Sequence, residues 1–216
     1  MESELNVLIF DLDGVIINSG ADIANAVNHT RKLFGRSLLS NDEIIGYVGH
    51  GAEALIRSSF RGCSEDLINK ALPLYLQYYL DNALIETSLY PNVKETLEDL
   101  KWRREDKKIA LVTNKPEAIA ERILVGLGVR QYFDLIVGPE SVMKMKPDPE
   151  GIIKVLNTLG RSPEQAVMIG DSHTDIEAGK RAGTKTCGAA YGLGNKEELI
   201  KSNPDFVINN INEVIT

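Results

Sequence analysis

The chain has 216 residues, 43% of them hydrophobic and 25% charged, and a net charge of −7. That length suits one large domain, or one domain carrying a smaller insert. The acidity argues against nucleic acid or an anionic membrane surface as a partner, since both need a basic patch. It leaves room for a small anion received by a local cation.

The first apolar run, Val7-Leu8-Ile9-Phe10, drives directly into Asp11-Leu12-Asp13-Gly14. Such a run is a buried strand, and a buried strand should not end on two unpaired carboxylates. Residues 16–87 then read as helices with no convincing strand between them: "ADIANAVNHTRKLFG", "NDEIIGYV", "AEALIRSSF" and "EDLINKALPLYLQYYLDNAL". Pro73 is expected to start or kink one of them. From about Leu89 the pattern changes to strands alternating with amphipathic helices. Strands are expected at 108–113, 135–138, 166–170, 184–190 and 205–208, and helices near 92–104, 117–127, 149–160, 174–182 and 195–202.

This alternation predicts an α/β fold, a Rossmann-like parallel sheet with helices on both faces. The helical stretch 16–87 is expected to be a cap inserted after the first strand, with 1–15 and 88–216 forming the core. Ligands of such sheets lie outside the carboxyl ends of the strands. The polar clusters "DLDG", "TNKP" and "GDSHTD" each fall at such an end.

If those strands are neighbours, Asp11, Asp13, Asp171 and Asp175 converge on one small volume. Their mutual repulsion calls for a cation, and a hard divalent ion such as Mg2+ suits oxygen ligands beside phosphate. Thr113 and Asn114 precede Pro116, which is expected at the first position of a helix. The helix N-terminus would offer N–H groups to an anion, although Thr and Asn also cap helices structurally. Lys146 precedes Pro147 and is held extended; for that reason it is preferred to Lys144 as the lysine facing developing negative charge.

In order, "FDLDG", Thr113-Asn114, Lys146-Pro147 and "GDSHTDIEAGKRAG" resemble the four motifs of the haloacid dehalogenase superfamily. "GHGAEAL" and "YGLG" make the phosphoglycolate phosphatase-like group the nearest match. The resemblance implies that Asp11 is the nucleophile, forming an aspartyl-phosphate, and that Asp13 protonates the leaving alcohol and then activates water. It implies Mg2+ held by Asp11, Asp171 and the backbone carbonyl of Asp13, with Asp175 either a ligand through water or an orienting group. Thr113 and Lys146 would bind phosphoryl oxygens. Dehalogenases lack an acid two positions after the nucleophile and transport ATPases carry Thr there, so Asp13 points to a phosphatase or phosphomutase. Asn18 and Val15 depart from common family residues at positions that are not ligands. Gly14 is expected to permit a sharp turn where a side chain would crowd the phosphate.

Weaker candidates lie in the cap. His50 and Gly51 sit in a glycine-flanked loop that could read the leaving group, and Arg57 could meet a substrate carboxylate. No apolar run reaches the roughly 18 residues of a membrane span. The opening "MESELN" lacks the features of a signal peptide. Cys63 and Cys187 form neither a disulfide framework nor a zinc pattern. A cytoplasmic monomer or homodimer is therefore expected, acting on a small phosphorylated metabolite, with phosphoglycolate leading. A β-phosphoglucomutase-like phosphomutase, an inorganic pyrophosphatase and a nucleotidase are the alternatives within the superfamily. A receiver-like signalling protein, which would be shorter and lack Asp13, and a non-catalytic phosphate-binding protein are the alternatives outside it.

Overall fold

The computed structural model describes residues 5–103 and 106–215. Residues 1–4 and 216, which open and close the expected core, lie outside the described residues. So do residues 104–105, where the helix expected over 92–104 ends.

In chain order the elements are β1 (Val7–Phe10), β2 (Ile17–Asn18), α1 (Gly20–Leu33), α2 (Asn41–Ile45), α3 (Ala52–Ser59), α4 (Glu65–Asn82), β3 (Ser88–Leu89), α5 (Val93–Trp102) and β4 (Lys108–Val112). There follow α6 (Glu117–Gly126), β5 (Leu135–Val137), α7 (Glu150–Leu159), β6 (Ala166–Gly170), α8 (His173–Ala182), β7 (Lys185–Ala189), α9 (Lys196–Lys201) and β8 (Phe206–Ile208). Among the described residues six strands form one parallel sheet in the order β5-β4-β1-β6-β7-β8. The chain builds outward from β1 on one side, returns, and builds outward on the other. The carboxyl ends of β4, β1 and β6 are thereby side by side at the point where the order reverses.

Strand β1 is buried on both faces, as a continuous apolar run in a parallel sheet requires. Val7 and Ile9 pack with Val112, Met168 and the α7 residues Ile152, Val155 and Leu156. Leu8 and Phe10 face the opposite layer with Leu97, Leu111 and Ile123, and that cluster runs without a break into the cap through Ile23, Ile56, Tyr75 and Tyr79.

Two findings differ from the sequence reading. Residues 17–18 and 88–89 pair antiparallel as β2 and β3, a two-stranded ribbon where the chain enters and leaves the helical cap. Two residues per strand are too few for any periodic pattern to show; pairing alone defines them. Pro73 lies well inside α4, so of the two expected roles, starting or kinking a helix, the first does not hold. The interior position sacrifices a hydrogen bond, about 3 kcal/mol, and burial of Ala71, Tyr75 and Tyr79 on the same helix opposes that loss. No helix among the described residues is long and apolar enough to cross a membrane.

Candidate active site

Asp11 follows β1 directly, and its N–H donates to Ile169 O at 2.9 Å, extending the ladder by one residue. The chain then turns back on itself: Ile16 and Ile17 N–H groups both donate to Leu12 O, at 3.0 and 3.1 Å. Gly14 sits in this turn at φ +80, and a Cβ there would lie 1.7 Å from Asp171 Oδ2. A side chain there would strike Asp171, a neighbour the sequence reading did not name.

Neighbouring strand ends supply the rest. Asp171 follows β6, and its Oδ2 accepts from the N–H groups of Leu193 and Gly194, each at 2.8 Å. The "YGLG" loop after β7 thus fixes this carboxylate. Asp175, one turn into α8, uses Oδ2 to accept from Ser172 N–H at 3.1 Å and Ser172 Oγ at 2.6 Å, a capping interaction. Its Oδ1 accepts from Lys146 Nζ at 2.6 Å. Lys146 also donates to Val112 O at 2.6 Å and stands 2.9 Å from Asp11 Oδ1. Lys146 is buried while Lys144 is exposed.

Oxygens of Asp11, Asp171 and Asp175 lie within 4.8 Å of one another. Three carboxylates face one ammonium, an excess of two negative charges. Asp11 is pushed up to about 6, by burial first and then by the Asp175 and Asp13 charges, against the opposing pull of Lys146. Burial also raises Asp171 well above the ordinary carboxylate range, with Asp175 and Asp11 adding to it. Burial alone would lower the Lys146 ammonium, but Asp11 and Asp175 outweigh it and the net direction is up. Asp11 Oδ1, though close to Lys146, has no hydrogen-bond partner with acceptable geometry. An under-satisfied, all-oxygen, doubly negative cluster fits a hard divalent cation.

Asp13 faces elsewhere. Its Oδ1 accepts from Ser19 Oγ at 2.5 Å and lies 3.0 Å from Lys115 Nζ. Lys115 in turn donates to the hydroxyl of Tyr79, on α4 of the cap, at 2.6 Å. Its nitrogen sits 4.4 Å from the centroid of that ring, a cation–π distance. The sequence reading missed Lys115, yet the signal was available: Lys115 precedes Pro116 just as Lys146 precedes Pro147.

Between cap and sheet lies a cavity of about 70 Å³, with Asp11, Asp13, Thr113, Lys115, Lys146 and Asp171 on its core side. Ile23, Ile45, Val48, Leu55, Tyr75 and Tyr79 form most of the cap side, and Gly51 also lines it. Asn114 and Pro116 also line the cavity, whereas His50 and Arg57 lie outside its lining. Asn114 gives its amide hydrogens to Gly49 O at 2.8 Å and Lys146 O at 2.9 Å, so it ties the cap loop to the lysine loop. Pro116 is the residue before α6, and the Glu117 N–H donates to Glu140 Oε2 at 3.0 Å; an internal carboxylate takes that place. His50 is exposed, outside the cavity lining, with its ring 5.7 Å from that of His173. Arg57 pairs on the surface with Glu53 at 3.0 Å and Glu65 at 2.6 Å, because its helix turns that side chain away from the core.

The family profile described as haloacid dehalogenase-like hydrolase matches residues 8–189. A phosphoglycolate phosphatase of Aquifex aeolicus (strain VF5) is 37% identical over 98% of this chain and 95% of that protein. Pyrophosphatase PpaX of Bacillus pumilus (strain SAFR-032) is 32% identical over 99% of this chain and 96% of its own length. A crystal structure from Haemophilus somnus 129PT, titled as a predicted phosphoglycolate phosphatase, superposes with a TM-score of 0.93 at 29% identity, over 100% of this chain and 98% of that one. With the family profile spanning most of the chain and such relatives matching nearly end to end, this protein belongs to the haloacid dehalogenase-like hydrolases.

Proposed function

We propose that the protein is a Mg2+-dependent phosphatase that hydrolyses a small phosphorylated metabolite, phosphoglycolate first among them, through an aspartyl-phosphate on Asp11. The observation that carries this reading is the division between the two aspartates. Asp11 sits in the acid cluster against Lys146, whereas Asp13 is turned toward Ser19 and Lys115 under the cap. One carboxylate is therefore available for attack and the other for proton transfer.

Asp11, Asp171 and the backbone carbonyl of Asp13 would hold Mg2+, with Asp175 orienting Lys146. When bound, the ion supplies charge neutralisation for the carboxylates and the phosphoryl oxygens. Asp11 attacks phosphorus as Asp13 gives its proton to the departing oxygen. Asp13 then takes a proton from the water that attacks the same phosphorus, releasing phosphate and restoring Asp11. Lys146 and the Thr113 hydroxyl face the negative charge that builds on the phosphoryl oxygens. The cap, taken as residues 16–87 on a core of 1–15 and 88–216, excludes bulk water when closed. The small cavity supports a small substrate, being well under the several hundred Å³ of a drug-sized ligand pocket. The free thiols Cys63 and Cys187 support a cytoplasmic setting.

A second reading, pyrophosphate hydrolysis, is supported by the Bacillus pumilus relative. Phosphoglycolate and pyrophosphate are alike in pairing a phosphoryl group with a second anion. A panel of phosphate esters including both, with Mg2+ and with EDTA, tests the proposal. Turnover is expected only with the metal, and Asp11→Asn is expected to abolish it. Metal-dependent turnover by Asp11→Asn would falsify the covalent route.

A further inference from the structure

Lys115 is a buried cation that the acid cluster does not account for. Its side chain is 3% exposed and forms part of the cavity wall. Burying an ammonium is costly unless its charge and donors are met. Among the described residues its polar partners are the Asp13 carboxylate at 3.0 Å and the Tyr79 hydroxyl at 2.6 Å. An ammonium has three N–H donors, so one is left for whatever enters the cavity.

Its place in the cavity narrows what that is. Lys146 already faces three acceptors, Val112 O, Asp11 and Asp175, on the sheet side. Lys115 lies instead beside Asp13, the residue assigned to the departing oxygen. The cap surface opposite is largely apolar, with Ile23, Ile45, Val48 and Leu55, and it presents no other cation to the cavity among the described residues. Gly51, which precedes α3, lines the same space, and no side chain caps that helix. A lysine that served only to tie down the cap would be indifferent to the charge of the leaving group; this one is positioned to meet it.

We propose that Lys115, together with the Tyr79 hydroxyl, seats a second anionic group on the leaving-group side of the substrate, and so selects doubly anionic phosphoryl compounds over esters with neutral leaving groups. The assignment rests on the phosphatase reading above. A carboxylate and a second phosphate share the chemistry required, and separate substrates distinguish them.

The test compares kcat/KM for phosphoglycolate, pyrophosphate and 2-hydroxyethyl phosphate, the last having an alcohol where phosphoglycolate has its carboxylate. Wild type, Lys115→Met and Tyr79→Phe are each assayed with Mg2+. The wild type is expected to prefer at least one doubly anionic substrate to the hydroxyethyl ester. In Lys115→Met that preference ratio should fall about 10- to 100-fold, the worth of a charge-assisted hydrogen bond, chiefly through KM. Tyr79→Phe should lower the same ratio by a smaller factor. A ratio unchanged in Lys115→Met, or a wild type preferring the neutral ester, overturns the assignment while leaving the phosphatase reading intact. If circular dichroism shows Lys115→Met unfolded, the Tyr79→Phe ratio decides, and no change there overturns it. No metal-dependent turnover of any of the three by wild type would instead remove the phosphatase reading, and this assignment with it.

Discussion

Asp11 shows what the site costs the fold. Its carboxyl is pushed up to about 6, first by burial, then by Asp175 and Asp13, with Lys146 opposing. Unfolded, the same group titrates near 4. Between those values the folded protein binds more protons than the unfolded one, so stability falls as pH rises through the window. The buried Asp171, raised for the same first cause, acts in the same direction. The chelated wild type is therefore expected to lose thermal stability between about pH 4 and pH 7, and Mg2+ should return it. Asp11→Asn should raise the melting temperature of the chelated protein at pH 7 and flatten part of that slope, while abolishing turnover. Equal slopes for the two proteins in thermal scans would remove the argument. Gly14→Ala is a harsher change at this scale. It places a Cβ at φ +80 and 1.7 Å from Asp171 Oδ2, so both backbone strain and overpacking apply, a loss of about 2–5 kcal/mol in urea unfolding.

Secondary-structure elements divide into those the residue pattern shows and those only pairing or packing creates. The strands expected at 108–113, 135–138, 166–170, 184–190 and 205–208 match β4 to β8 within one or two residues, since each is an apolar run bounded by turn residues. The convergence of Asp11, Thr113, Asp171 and Asp175 was legible for the same reason, each lying at the end of β1 or of a strand that the sheet order brings alongside it, whereas Lys146 was singled out by the proline that follows it. Lys115 carried only the weak signal of a lysine before a proline, and its burial depends on Tyr79 arriving from a distant helix to cover it. The β2–β3 ribbon was invisible, and so was the residue that braces it. Asp22 is buried on α1, and its carboxylate accepts from the N–H groups of Ile85, Glu86 and Thr87 and from the Thr87 hydroxyl. It thereby fixes the segment leading into β3. Asp22→Ala strands these donors in a buried setting, and a loss of about 2–4 kcal/mol in the free energy of urea unfolding is expected. A loss below about 0.5 kcal/mol would mean that water satisfies the segment equally well.

At the level of the whole molecule, the question is what holds cap and core together over the cavity. A continuous apolar cluster joins them, but apolar contact is non-directional and does not by itself fix one position. Direction comes from polar ties at separate points, among them Asn114 to Gly49 O, Lys115 to Tyr79 and Arg122 to Asp81 O. The covalent connections are the two strands of a ribbon two residues long, short enough to act as a hinge. If closure is an equilibrium, the Asn114 tie, worth about 1 kcal/mol, shifts it roughly fivefold toward closed. Asn114→Ala removes that tie and also frees the Lys146 loop, which Asn114 holds through both its amide and its carbonyl. Small-angle scattering of the variant should show a larger radius of gyration than wild type without ligand. Saturating inorganic phosphate should draw the two together, because binding favours the closed state in both. The apparent KM of the variant should rise at least about threefold, since only the closed fraction binds fully. Identical scattering and an unchanged KM would mean that the remaining ties and the apolar seam set the cap without Asn114, and that Asn114 serves only to shape the lysine loop.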